Sequence, residues 1–141
     1  MALQAKEMYV NLPVKDLDKS VGFFRKLGFD FHPEMTDENA SCMIVGENIF
    51  VMLLTEPFFQ TFTKKELTDA TKNAEVIVAI SADSRQSVND IVNKALEAGG
   101  SAMNDPMDNE YMYAWSFQDL DGHLWEVMAM PENDDLDKSS T

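Results

Sequence analysis

DLDGHLWEVM, residues 119–128, passes from a polar turn straight into an apolar strand and carries one carboxylate, Glu126, among Leu124, Trp125, Val127 and Met128. A charge in such a run is costly unless something pairs with it. Strand alternation sets Leu124, Glu126 and Met128 on one face. His123 sits three residues from Glu126, an odd offset that puts it on the other face, so HLWE is not a metal motif. His123 reads instead as a solvated or turn-capping residue. What Glu126 faces is then the question that decides both fold and site.

Working outward, the same order of elements occurs twice. In MYVNLPVKDL, Val10, Leu12 and Val14 share one strand face and Tyr9, Asn11 and Pro13 the other. DLDKSVGFFRKLGF (16–29) is predicted as a helix, capped by Asp16 or Asp18 and ended by Gly28. Its apolar stripe is Leu17, Val21, Phe24 and Leu27. Three strand-like runs follow: FDFHP (29–33, with His32 in its turn), ASCMIVG (40–46) and NIFVMLLTE (48–56). In the second half, EVIVAIS (75–81) sets Val76, Val78 and Ile80 against Glu75, Ile77 and Ala79. A helical stripe of Val88, Ile91, Val92, Ala95 and Leu96 comes next, ended by Gly99-Gly100. SAMND (101–105), YMYAWSFQ (111–118) and HLWEVMAM (123–130) then read as strands. Each half is predicted as β-α-β-β-β, an α+β architecture built by duplication of one unit, over about 8–55 and 74–130.

The 141 residues fit one domain, 1–131, made of these two units. The linker 56–73 carries a capping-box pattern from Thr63 to Glu66, which predicts a short helix there. Its Phe58, Phe59 and Phe62 are open to three roles, core, lid or interface, with core packing the default. The tail ENDDLDKSST (132–141) has almost nothing to bury and is expected to be disordered. A net charge of −14 repels phosphate backbones, which argues against a nucleic-acid partner. No run of 18 or more apolar residues is present to cross a membrane. MALQAKEMYV (1–10) lacks the apolar stretch of a secretory signal, and the single cysteine, Cys42, allows no intrachain disulfide, so a cytoplasmic location is expected. Cys42 in NASCMIVG reads as a small buried residue rather than a nucleophile.

VNLPVKDLDKSVGFFRKLGF (10–29) and FQDLDGHLWEVM (117–128) resemble the vicinal oxygen chelate superfamily, which includes glyoxalase I, bleomycin- and fosfomycin-resistance proteins and extradiol dioxygenases. The resemblance spans about residues 8–130. It implies curved mixed sheets enclosing a cleft, with helices outside and ligands on the inner faces. It further implies metal-ligand positions early in the first strand and on the last strand of each unit. Those positions fall on Tyr9, on the apolar stretch Phe50 to Met52, on Glu75 and on Glu126. Two carboxylates and a phenol, with no histidine, stand where three or four ligands are usual. The cofactor is then either none or a divalent metal (Mg, Mn, Fe, Ni or Zn) held by Glu75 and Glu126.

By this reading Glu126 points inward, near Glu75 and Tyr9, and acts as the catalytic general acid or base if a neighbouring carboxylate raises its pKa. Tyr9, Asn11, Met112, Ser116 and Met128 are the candidate substrate-binding residues. The family's strand parity would point Met112, Ala114 and Ser116 into the cleft and turn Tyr111, Tyr113, Trp115 and Phe117 toward the helices or a subunit contact, although the sequence alone allows either face and ring burial against the helices is preferred. Two functions follow from the resemblance: a lyase or dioxygenase-like enzyme acting on a small oxygenated substrate, and a non-catalytic protein that sequesters a small molecule, for which an acidic cleft suits a cation. Proteins of this kind usually pair, so a homodimer is expected.

Overall fold

The computed structural model describes residues 2–130, so the expected disordered tail lies outside the described residues. The chain divides between Thr68 and Asp69 into two compact units.

The first unit begins with β1 (Met8–Val14), α1 (Leu17–Leu27) and β2 (Asp30–His32). A 3-10 turn, Pro33–Met35, leads into β3 (Ala40–Gly46), β4 (Ile49–Thr55) and the short α2 (Glu56–Gln60). The Asp16 carboxylate accepts from Lys19 N–H at 3.1 Å and so caps α1. Gly28 closes the helix at φ 112°, a left-handed conformation that favours glycine. The strands run in the order β1-β4-β3-β2, with β1 parallel to β4 and the other pairs antiparallel. Leu12, Val14, Phe31, Met43, Val51 and Leu53 share one face and are buried. The Arg25 guanidinium of α1 lies 5.3 Å above the Phe31 ring and marks that face as the helix side.

Three expectations need correction here. His32 ends β2 opposite Cys42 rather than lying in the following turn, because the sheet register carries one residue past Phe31 before Pro33 breaks it. The short linker helix is α2, earlier than the Thr63–Glu66 motif: Pro57 occupies its first turn, and the Thr63 hydroxyl instead accepts from Lys65 N–H at 3.1 Å. Phe58 and Phe59 are half-buried and Phe62 is 70% exposed, so these rings are not core.

The second unit contains β5 (Ile77–Ser81), α3 (Arg85–Glu97), β6 (Ser101–Ala102), β7 (Met107–Asp108), β8 (Tyr113–Gln118) and β9 (Leu124–Ala129). Ser84 caps α3 by accepting from Ser87 N–H at 3.1 Å. The strand order is β5-β9-β8-β6, β5 is parallel to β9, and β7 pairs with β8 beyond β6. The outer strand expected at SAMND is therefore two short pieces, Ser101–Ala102 and Met107–Asp108. Both units realise the β-α-β-β-β order, with the first and last strands parallel neighbours. Phe117 and Trp125, both fully buried, stack with centroids 6.1 Å apart at 1°. The Tyr113 hydroxyl donates to Asn89 Oδ1 of α3 at 2.6 Å, and Arg85 lies 4.6 Å above the Tyr113 ring. The rings of β8 thus pack toward the helix, whereas Tyr111 precedes the strand and is 73% exposed. Among the described residues no helix is long and apolar enough to cross a membrane.

Two glycines give opposite expectations. Gly122 has φ 89°, and a Cβ there would meet the Ala70 carbonyl oxygen at 2.7 Å, a backbone atom with little freedom to retreat. Gly122→Ala should cost about 2–4 kcal/mol, combining left-handed strain with overpacking. Gly22, mid-α1, has nothing within 4 Å of the same position, so Gly22→Ala should stabilise by about 0.5–1 kcal/mol. Denaturant midpoints of the two variants, measured side by side, check both signs.

Candidate functional site

In the second unit, the register sets Ala79, Glu126 and Ser116 in one row across the sheet, on the face turned away from α3. The flanking rows hold Ile77, Leu124 and Gln118 on one side and Ser81, Met128 and Ala114 on the other. Ser116 and Ala114 are buried, Glu126, Leu124 and Met128 are half-buried, and Ile77 is half exposed. Glu126 has no side-chain partner among the described residues. Its carboxylate reaches solvent from a small-residue and apolar surface. Binding a cation or a hydrogen-bond donor there would offset a charge that the protein leaves unpaired.

The most buried carboxylate of this stretch is Asp119, which sequence reading passed over; Asp121 beside it is buried too. Asp119 is 5% exposed. One of its oxygens accepts from the Asp121 and His123 backbone N–H groups, each at 3.0 Å. The other accepts from the Trp125 indole N–H at 3.0 Å. Asp119 N–H donates to the His123 carbonyl at 3.1 Å, which closes the turn before β9. Desolvation pushes the Asp119 carboxyl above the usual range, outweighing His123 and the three donors, which act the other way. His123 is therefore part of this turn. The sequence signal was present in Asp-x-Asp-Gly, an Asx-turn pattern, but the indole partner six residues on is set by tertiary packing.

In the first unit, Tyr9 and Asn11 lie on the face turned away from α1, in register with Phe50 and Met52. Tyr9 stacks on Phe50 with centroids 4.9 Å apart, and its hydroxyl donates to Glu7 Oε1 at 3.2 Å. Partial burial, then the Glu7 carboxylate, push the phenol upward from its ordinary value. Asn11 is exposed.

Glu75 is exposed and precedes β5, four residues before Ala79, the register partner of Glu126. Glu75 therefore lies outside the row formed by Ala79, Glu126 and Ser116. The expected closeness of Glu75 and Glu126 has no strand pairing behind it, because β5 begins two residues after Glu75. Met112 also precedes its strand, half-buried, with its N–H donated to Asn109 Oδ1 at 3.0 Å. A divalent centre of the kind the resemblance implies needs three or four converging donors. The corresponding positions here hold a stacked phenol, an apolar stretch, an off-strand carboxylate and Glu126. Among the described residues no three or more His, Cys, Asp or Glu side chains gather. These residues do not fit that centre.

A family model described as bleomycin resistance protein-like N-terminal matches residues 6–46. A hypothetical protein from S. aureus of known structure is 31% identical, with 89% of this chain and 95% of that one covered at a TM-score of 0.75. A glyoxalase/bleomycin resistance protein/dioxygenase family enzyme from Burkholderia phytofirmans is 15% identical, with 87% and 97% covered at a TM-score of 0.73. An antibiotic binding protein from Streptomyces sp. CB03234 is 18% identical, with 93% and 99% covered at a TM-score of 0.64. No curated protein sequence matches the chain.

The turn built on Asp119 carries a pH expectation. Its folded carboxyl holds a proton more tightly than the unfolded one, so the stability it contributes is fully present below the ordinary carboxylate range. That stability is lost as pH rises through the higher folded value. Asp119→Asn should remove this slope and cost about 1–3 kcal/mol, because an amide nitrogen replaces one accepting oxygen. Urea denaturation of both proteins across the mildly acidic range measures it; equal slopes would contradict it.

Proposed function

This chain belongs to the vicinal oxygen chelate superfamily of glyoxalase, bleomycin resistance and dioxygenase proteins, and we propose that it binds a small organic cation without transforming it. The observation that carries this reading is Glu126: one solvent-reaching carboxylate, without a partner among the described residues, framed by Ser116, Ala79, Leu124 and Met128. An apolar surface with one fixed charge gives both contact area and orientation to a small ligand. The net charge of −14 draws cations toward any such surface. Taken by itself, the first unit presents an aromatic ring, Tyr9, and an amide, Asn11, on its face turned away from α1.

The lyase or dioxygenase-like alternative asks more of these residues. Its Lewis acid would stabilise charge on vicinal oxygens of the substrate. Only Glu126 is placed for such a centre, and a lone carboxylate does not hold one. A sequestering role needs no such centre, and a structural neighbour from Streptomyces is named as an antibiotic binding protein.

Calorimetric titration with bleomycin and a small panel of cationic, neutral and anionic aromatic antibiotics tests the reading. Cationic members should bind, and Glu126→Gln should weaken them by about 1.5–3 kcal/mol, the usual loss for a charged hydrogen bond. The free variant should melt at or above the wild-type temperature, because no partner of Glu126 is lost. Equal binding of anionic members, or binding untouched by the substitution, would contradict the proposal.

A further inference from the structure

On the face of the first sheet turned away from α1, one register row runs His32, Cys42, Met52, Asn11. Residues directly opposite on neighbouring strands have Cβ atoms about 5 Å apart. Cys42 is therefore flanked across the sheet by His32 on one side and Met52 on the other. Cys42 is fully buried, while His32 and Met52 are half-buried and flank it toward the surface. His32 Nδ1 is itself buried and lacks a hydrogen-bond partner, the one side-chain atom among the described residues in that state. Native structures rarely leave such a nitrogen unsatisfied without a reason, and an absent ligand is one.

We propose that His32, Cys42 and Met52 bind one soft monovalent metal ion, of which Cu(I) is the type. Thiolate and thioether donors select such ions, and a neutral imidazole completes a three-coordinate set. Met52 has the unbranched, polarizable side chain to reach over the thiol. Charge decides against a divalent ion. Cys42 is fully buried, where an uncompensated charge is costly. On binding, the S–H bond breaks, the proton leaves to solvent and an Sγ–metal bond forms, with no change of oxidation state. The resulting thiolate–Cu(I) unit is neutral, like the thiol it replaces. A divalent ion would leave a positive charge in a row whose other member is the uncharged Asn11. This site uses none of the residues assigned to the organic cation, so either proposal can fail without the other.

The test is anaerobic titration of the full chain with Cu(I) against bicinchoninate, a competing chelator that strips weak surface sites. One equivalent per chain should be retained, with a thiolate-to-copper charge-transfer band in the ultraviolet. Cys42→Ser should abolish both. Met52→Leu, close in volume and safe for folding, and His32→Phe should each weaken binding by more than about a hundredfold, beyond what loss of an outer-shell partner brings. Circular dichroism of each variant verifies the fold, and Met52→Leu keeps the test decisive if another variant does not fold. No retained equivalent in the wild type, retention in Cys42→Ser, unchanged affinity in Met52→Leu, or displacement of Cu(I) by equimolar Zn(II) would each overturn the proposal.

Discussion

The second unit depends on one buried carboxylate. Asp119 gathers the backbone N–H groups of Asp121 and His123 and the indole N–H of Trp125 onto its two oxygens. Those bonds fix the turn and the first residues of β9 together. Trp125 is thereby held with its ring on the α3 side, stacked on Phe117, and alternation then turns Glu126 to the other face. Gly122 belongs to the same construction, because its left-handed backbone lets the turn approach Ala70 too closely for any side chain. The three donors offset only part of what burying that charge costs, so the Asp119 carboxyl holds its proton more tightly than usual.

With Asp119 taking the structural role, Glu126 needs no internal partner. Its position among Ala79, Ser116, Leu124 and Met128 is that of a recognition group on a mostly apolar surface. The first unit repeats the arrangement with different chemistry, placing an aromatic ring, an amide, a thiol and an imidazole on the face away from its helix. One supersecondary plan thus supplies two surfaces, each buried on its helix side and free to diverge on the other. Neither gathers the oxygen and nitrogen donors of a hard divalent centre.

Periodicity made the repeated plan legible. The helix ends at Gly28, the cap at Asp16 and the parity of Leu12 and Val14 follow from local chemistry that sequence records directly. Alternation grouped Tyr113 with Phe117 and Ala114 with Ser116 but left open which group meets the helix; the structure turns Tyr113 toward α3 and pairs Ser116 with Glu126. Strand ends were less legible, because alternation assigns a face but not a terminus. Glu75 and Met112 share parity with their strands yet lie outside them, and His32 is drawn into β2 by its pairing with Cys42. The Asp119–Trp125 bond was illegible for a different reason: both residues have ordinary local roles, and only packing brings the indole to the carboxylate. Sequence posed the right problem, a costly carboxylate in 119–128, and assigned the burial to the wrong residue.

The most direct measurement is hydrogen exchange of the Trp125 indole N–H, followed by nuclear magnetic resonance. If Asp119 holds that proton in the buried turn, the indole should exchange as slowly as the most protected backbone amides of β8 and β9, and its chemical shift should follow a carboxyl that titrates above the ordinary range. An indole proton that exchanges as fast as a solvated tryptophan, with no dependence on a carboxyl, would contradict the assignment of the buried charge to Asp119 and, with it, the freedom of Glu126.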